Sequence, residues 1–270
     1  MVRLEHLKKH FKKIEVLRDV NLNILKGETM VVIGRSGQGK SVILKHIMGL
    51  LQPDGGLVRV DGQEISTPRQ VDLYKIRRKL GMLFQSSALF DSMDVGDNIA
   101  FAMREHTALS ESEIARIVAE KLEMVGLRGI ERKMPAELSG GMKKRVGLAR
   151  VIAMNPEVIL YDEPTTGLDP ITSDTINDLI LEMQQKLKVT SIVVTHDMVS
   201  AYKVGDRIAM LHDGIIIFTG TPNELKASHD PRVQQFIRGQ RKLIYDGSLA
   251  TEDEQVKYTA KFNLTDLAKE

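Results

Sequence analysis

Three apolar runs, each ended by polar chemistry, dominate the pattern of this chain. They are Thr29-Met30-Val31-Val32-Ile33, Val158-Ile159-Leu160-Tyr161 before Asp162-Glu163, and Ser191-Ile192-Val193-Val194 before Thr195-His196. Runs without a polar face read as central parallel strands, covered on both sides. Residues 174–187 between the second and third carry helical periodicity, so strand, helix and strand form a parallel crossover unit. Elsewhere the period is two. Residues 16–24 alternate like a strand with one buried face. Leu57-Val58-Arg59-Val60 followed by Asp61-Gly62 predicts a strand and the tight turn of a hairpin. Residues 208–211 and 215–218 flank His212-Asp213-Gly214, a second hairpin. Leu83-Phe84-Gln85 reads as a short strand ending in an amide, after a polar, helical stretch over 72–80.

The spacing of Ile114, Ile117, Val118, Leu122 and Val125 predicts an amphipathic helix over 110–125. The segment from 86 to about 134 reads as a helical insert, followed by a helix over 146–154. Another amphipathic helix begins at 230, and a charged tail follows Arg241. The expected organisation is one domain over residues 1–240, with a helical subdomain inserted at about 86–157, and a C-terminal extension over 241–270. The fold class is α/β: a parallel sheet with an antiparallel β flap interleaved with its start.

Composition narrows the classes of function. The 270 residues are 42% hydrophobic and 27% charged, an ordinary globular balance. A formal net charge of +2 gives no bulk attraction for nucleic acid, and aromatics at 4% without tryptophan supply few base-stacking platforms. Without cysteine there is neither a disulfide framework nor a thiolate metal site. The first ten residues are too charged for the apolar core of a signal peptide. No run reaches the ~18 apolar residues of a membrane span, so work at a membrane must pass through partner chains.

The chemistry centres on Gly34-Arg35-Ser36-Gly37-Gln38-Gly39-Lys40-Ser41, a complete G-x-x-x-x-G-K-[ST] phosphate-binding loop set between strand and helix. A helix N-terminus offers free N–H groups and the positive end of its dipole to a polyphosphate. Gly34, Gly37 and Gly39 let the backbone approach, Lys40 adds a charge for the outer phosphates, and the Ser41 hydroxyl suits Mg²⁺. The loop binds ATP or GTP. Asp162, at the end of a buried strand, can hold Mg²⁺, while Glu163, expected on the opposite side of an extended backbone, can orient and deprotonate water. Gln85 could ligate Mg²⁺ or position water, and His196 could donate to the γ-phosphate; both close predicted strands on the same sheet edge. Ser139-Gly140-Gly141 caps a second helix ready for an anion. One phosphate loop and one such second site per chain suggest two copies arranged head to tail. Phe11 is either an aromatic stacked on adenine or a core residue.

In this order the phosphate loop, Gln85, Leu138-Ser139-Gly140-Gly141, Asp162-Glu163, Gly167-Leu168-Asp169 and His196 resemble an ABC transporter ATPase subunit over residues 2 to about 240. That resemblance implies a homodimer around two Mg-ATP. Ser36 belongs to the phosphate-binding loop, Ser139, Gly140 and Gly141 contact the γ-phosphate of the opposite copy, and Asp169 lies in the loop across the dimer. Glu163 is the general base, His196 the γ-phosphate switch, Ser41, Gln85 and Asp162 serve Mg²⁺, and Phe11 stacks on adenine. After the glycines, Met142-Lys143-Lys144-Arg145 departs from the glutamine common in the family. Residues 84–93, Arg104-Glu105-His106-Thr107, 125–129 and Asp230-Pro231-Arg232-Val233 also resemble the ATPase of Mla/Mce phospholipid transport systems. The narrower resemblance implies an MlaE-type permease, an Mce-domain lipid-binding protein and a peripheral place on the cytoplasmic face of the inner membrane. An importer ATPase for another solute, or a soluble ABC protein acting on ribosomes or DNA, is the alternative. The latter class usually carries two cassettes or long coiled coils, and this chain has neither.

Overall fold

The computed structural model describes residues 1–66 and 73–239. The strands are β1 (Val2–Phe11), β2 (Ile14–Ile24), β3 (Thr29–Ile33), β4 (Gly55–Val60), β5 (Gln63–Glu64), β6 (Leu80–Leu83), β7 (Val158–Asp162), β8 (Thr190–Thr195), β9 (Arg207–His212) and β10 (Ile215–Gly220). The α-helices are α1 (Lys40–Ile47), α2 (Leu73–Arg77), α3 (Val95–His106), α4 (Glu111–Met124), α5 (Gly140–Ile152), α6 (Pro170–Leu187), α7 (Met198–Val204), α8 (Pro222–Ala227) and α9 (Pro231–Ile237). Among the described residues the strands form one sheet in the order β5-β4-β1-β2-β10-β9-β3-β8-β7-β6.

The sheet has two regimes, as the change of period along the sequence predicts. β5, β4, β1 and β2 pair antiparallel and make the flap. β9, β3, β8, β7 and β6 run parallel. A single bridge from Ile215 to Asp19 joins the regimes through β10. The apolar runs are buried on both faces because each face has its own core. Val31 and Ile33 pack with Val95, Ile99, Val146, Leu148 and Ile180 from the helices on one side. Met30 and Val32 point the other way, to Ile43, Leu44 and Ile47 of α1 and to the flap residues Leu4, Leu17 and Val20.

Some boundaries differ from the expected ones. β6 stops at Leu83, so Gln85 lies in a turn two residues beyond the strand. The ladder to β7 runs out where Leu83 meets Tyr161, and the next residues curl, with Ser87 and Ala88 in left-handed conformations. α5 starts at Gly140 and ends at Ile152, earlier at both ends than the apolar periodicity alone predicts, because Ser139 caps the glycines directly. α6 begins at Pro170, a residue suited to a first turn, after Asp169 as cap. Asp72, the start of the expected polar helix, and the extension from 241 lie outside the described residues.

α4 shows local sequence making local structure. The Ser110 side chain accepts from the Glu113 N–H at 3.4 Å and the Glu113 carboxylate accepts from the Ser110 N–H at 2.8 Å. These reciprocal bonds satisfy free donors of the first turn. Ser110→Ala is expected to lower stability by about 1 kcal/mol, read as a lower urea midpoint with an unchanged denaturant slope.

Candidate functional site

Parallel pairing brings the ends of β3, β8, β7 and β6 to one edge. Ile33 sits opposite Thr195, Asp162 opposite Val194 and Leu83 opposite Tyr161. The residues that follow these ends are Gly34, His196, Glu163 and, a little further on, Gln85. Ser36, Gly37, Gly39, Lys40, Ser41, Val42, Gln85, Glu163, Thr166 and His196 line a single cleft of about 340 Å³.

The phosphate loop fits tightly against the flap. Gly39 has φ +96°, and a Cβ there would come within 2.7 Å of Val16 Cγ1 in β2. Any larger residue is excluded by both conformation and space. Next to it Lys40 is buried, its Nζ donating to the carbonyls of Gly34 at 2.8 Å and Arg35 at 3.2 Å and lying 3.2 Å from Glu163 Oε1. Burial depresses its pKa, against the pull of the Glu163 and Asp162 carboxylates. Ser41 Oγ donates to Asp162 Oδ1 at 2.7 Å. Burial raises the Asp162 pKa, the Ser41 bond opposes it, and the neighbouring Glu163 charge adds to it.

Glu163 is not on extended backbone. Its φ is +47°, a left-handed conformation rare outside glycine and asparagine. The residue makes the last ladder bond, its N–H to the Val194 carbonyl at 2.9 Å, and its own carbonyl accepts from the Thr166 N–H at 3.2 Å. The chain therefore turns at this residue, directly at the end of the ladder. Both carboxylate oxygens are held: Oε1 by Lys40, and Oε2 by His196 Nδ1 at 2.8 Å and by the Thr166 hydroxyl at 3.2 Å. Because an ionised carboxylate only accepts, Nδ1 carries the proton in this pair. Glu163 is buried, while the His196 side chain is half exposed.

Other predicted residues stand apart from the cleft. Ser139 caps α5, accepting from the Met142 N–H, and both Ser139 and Gly140 are exposed. Gly141 lies against Thr172 of α6, and Asp169 caps that helix, accepting from the Ile171 and Thr172 N–H groups at 3.0 Å. Ser139, Gly140 and Asp169 are exposed at the neighbouring starts of α5 and α6, Gly141 is buried between the two helices, and none of the four lines the cleft of its own chain. Phe11 ends β1, partly buried against the flap core, with the Lys9 ammonium 5.5 Å from its ring centroid. It does not line the cleft; it stands on the hairpin whose Val16 abuts Gly39.

Two residues at the site were not anticipated. Thr166 holds Glu163 from a turn whose sequence carries no periodicity. Lys144 is buried on α5, its Nζ donating to the carbonyls of Gln85 and of Glu163, the latter at 3.3 Å. Helical spacing from the Ser139 cap was the available signal, since Gly141, Lys144 and Leu148 fall on one buried face.

Donor chemistry fits Mg-ATP. The loop N–H groups and Lys40 suit an anion, and the Ser41 hydroxyl beside a carboxylate is a hard oxygen pair. Mg²⁺ is commonly held by one or two carboxylates together with substrate phosphates, so no larger acidic cluster is needed.

Comparison with known proteins agrees with this geometry. The family model described as ABC transporter matches residues 17–166. An intermembrane phospholipid transport system ATP-binding protein, MlaF, from Haemophilus influenzae is 46% identical over 222 residues, 82% of this chain and 84% of that protein. A probable ribonucleotide transport ATP-binding protein, mkl, from Mycobacterium leprae is 44% identical over 240 residues, 89% of this chain and 69% of that protein. Among solved structures, a dimeric ATP-binding cassette in a post-hydrolysis state with ADP and Pi superposes with a TM-score of 0.76 at 35% identity, covering 82% of this chain and 99% of the other. This chain belongs to the ABC transporter family, as one of its ATP-hydrolysing subunits.

Proposed function

We propose that the chain hydrolyses Mg-ATP at a seam between two copies and drives a membrane permease that moves phospholipid. The observation that carries the hydrolytic part is the Glu163 carboxylate, held by Lys40, His196 and Thr166 at the rim of the phosphate-loop cleft. Lys40 and the loop amides bind the phosphates, and Ser41 and Asp162 hold Mg²⁺, which neutralises phosphate charge when bound. Glu163 accepts the proton of the attacking water. His196, bonded to Glu163, keeps the carboxylate oriented and senses the γ-phosphate, with Gln85 beside it. Phe11 stacks on adenine at the edge of the flap.

Ser139, Gly140 and Gly141 supply the second anion-binding helix to the other copy's nucleotide, with Asp169 crossing the same seam. The exposure of Ser139, Gly140 and Asp169 away from their own cleft supports this arrangement. The domain spans 1–240, with the helical insert at about 86–157 meeting an MlaE-type permease, and an Mce-domain lipid-binding protein completing the system. No helix among the described residues is long and apolar enough to cross a membrane, which suits a peripheral subunit on the cytoplasmic face of the inner membrane. Support for phospholipid comes from the Mla-like segments and the MlaF relatives. The mkl relatives favour a second reading, in which a ribonucleotide is the cargo. Copurification with the permease from detergent-solubilised membranes decides between them: bound phospholipid by mass spectrometry supports the first reading, and a bound ribonucleotide other than ATP and ADP, without lipid, the second.

Glu163→Gln is expected to slow turnover by at least about 100-fold while ATP binding persists and an ATP-dependent dimer accumulates on gel filtration. Turnover at the parent rate rejects the base assignment. Lys40→Ala is expected to abolish binding of a fluorescent ATP analogue. Ser139→Arg is expected to abolish turnover but leave nucleotide binding by each copy; full turnover by a strict monomer rejects the seam.

Asp162 gives a separate test. Its folded pKa lies above the unfolded value, so its ionisation weakens the fold above the folded pKa, and the penalty fades as pH falls through it. An amide at this position still accepts from Ser41. Without nucleotide, Asp162→Asn should therefore melt at or above the parent's temperature at neutral pH, the gap closing in acid. The stabilisation of the parent by Mg-ATP should be lost. Thermal melts with and without Mg-ATP read both effects.

A further inference from the structure

Helix α5 carries the Ser139-Gly140-Gly141 cap at one end and passes behind the cleft. It lies close against the end of β6 and the segment that follows: a Cβ on Gly147 would come within 2.9 Å of Leu83 Cδ1 and 3.3 Å of Ser87 Cβ. Two cations fasten the segment to the helix. Arg150 donates to the carbonyls of Ser87 at 2.8 Å and Ala88 at 2.7 Å, whose residues are both left-handed. Lys144 donates to the Gln85 carbonyl, and alone of the two it also reaches Glu163.

Lys144 is 4% exposed. A buried ammonium is costly unless acceptors surround it. Here its acceptors are the peptide oxygens of two residues whose side chains line the cleft, and the Asp162 and Glu163 charges lend further support. The left-handed turn at Glu163 places that carbonyl under the ammonium, while its carboxylate faces Lys40 and His196. Lys144 thus touches the backbone of both Gln85 and Glu163, five residues along the helix from Ser139, or about 7.5 Å at the rise of an α-helix.

We propose that Lys144 is a positioning residue that ties the Glu163 and Gln85 peptides to the helix carrying Ser139, so that engagement of Ser139 with a nucleotide sets the base and the amide together. The proposal rests on Glu163 being the base. It makes no contact with nucleotide part of Lys144's role, and so separates turnover from binding. A lysine that merely filled the core would not split the two.

The test is steady-state ATP hydrolysis by the full-length chain across ATP concentrations, with a fluorescent-nucleotide titration and a thermal melt. In Lys144→Met, kcat is expected to fall at least about tenfold, as for a small misplacement of a catalytic group. KM and nucleotide affinity should stay near the parent's. Lys144→Arg, which restores donors and charge, is expected to recover most of kcat. Should Lys144→Met fail to fold, Lys144→Gln takes its place, with a partial loss of kcat at parent-like KM. A parent-like kcat in the neutral variant, nucleotide binding lost together with turnover, or a loss that arginine does not restore overturns the proposal. Glu163→Gln measured alongside keeps the premise separate. Parent-like turnover in that variant rejects the base reading, whereas parent-like turnover in Lys144→Met alone rejects only the positioning role.

Discussion

The ion pair between Lys40 and Glu163 joins two pieces of chain more than a hundred residues apart. Lys40 opens α1 after the phosphate loop; Glu163 follows β7. Both are largely buried at the wall of the cleft, and the 3.2 Å contact gives each charge a partner there. Such a pair adds little net stability against apolar residues of the same size, but breaking it by removing one member commonly costs about 3–5 kcal/mol. Its value is in geometry. An ammonium that must reach both the loop carbonyls and a carboxylate has few arrangements open to it. The carboxylate, gripped also by His196 and Thr166, has few as well. When phosphate takes over the attention of Lys40, the histidine and threonine still hold the second oxygen of Glu163 in place.

This contact exists because parallel strands end in register. Had β7 slipped by one residue against β8, every side chain on it would change face. Asp162 would leave Ser41 and the cleft would lose its acid. The continuous burial of β3, β7 and β8 prevents that slip, since both faces are packed: Val31 and Tyr161 belong to one core, Met30 and Leu160 to the other. The site is therefore positioned by two hydrophobic cores that contain none of its residues. The flap adds a third constraint by pressing Val16 against Gly39, which fixes the height of the loop over the start of α1.

What the chain disclosed by itself follows the same physics. Continuous apolar runs and the glycine loop were readable because parallel strands and phosphate loops demand particular residues at fixed spacing, and the buried strands and α1 fall where that pattern predicts. Reading was poorer wherever the determinant was a turn. β6 stops before Gln85 because its ladder to β7 ends, and no residue type marks that end. The left-handed conformation of Glu163 is imposed by the close of the ladder and the bond from Thr166, while a glutamate before a proline suggests extended backbone. The cap at Ser139 is legible, but the apolar periodicity over 146–154 misses the first six residues of α5, because glycines carry no periodicity, and it gives no sign that Lys144 is buried. Its burial is a tertiary fact: it depends on the carbonyls of two turns that lie far from it in sequence.

Separation within the chain gives the last step. The cleft gathers the phosphate loop, Gln85, Glu163 and His196, while Ser139 and Asp169 begin neighbouring helices on an exposed surface outside it. A helix start with free N–H groups and a serine cap is poised for an anion, yet its own chain's cleft does not include it. Under the proposed seam, each copy completes the other's site, and α5 becomes the element that feels both nucleotides: one at its capped end, the other through the carbonyls that Lys144 holds. A rigid helix can report only by moving as a body. With Gly147 seated against Leu83, and Lys144 and Arg150 fastened to the turn beyond β6, that movement carries the Gln85 segment along. On this reading, closure across the seam and alignment of the attacking water are the same displacement, and ATP held by an isolated copy stays intact because nothing pulls on α5.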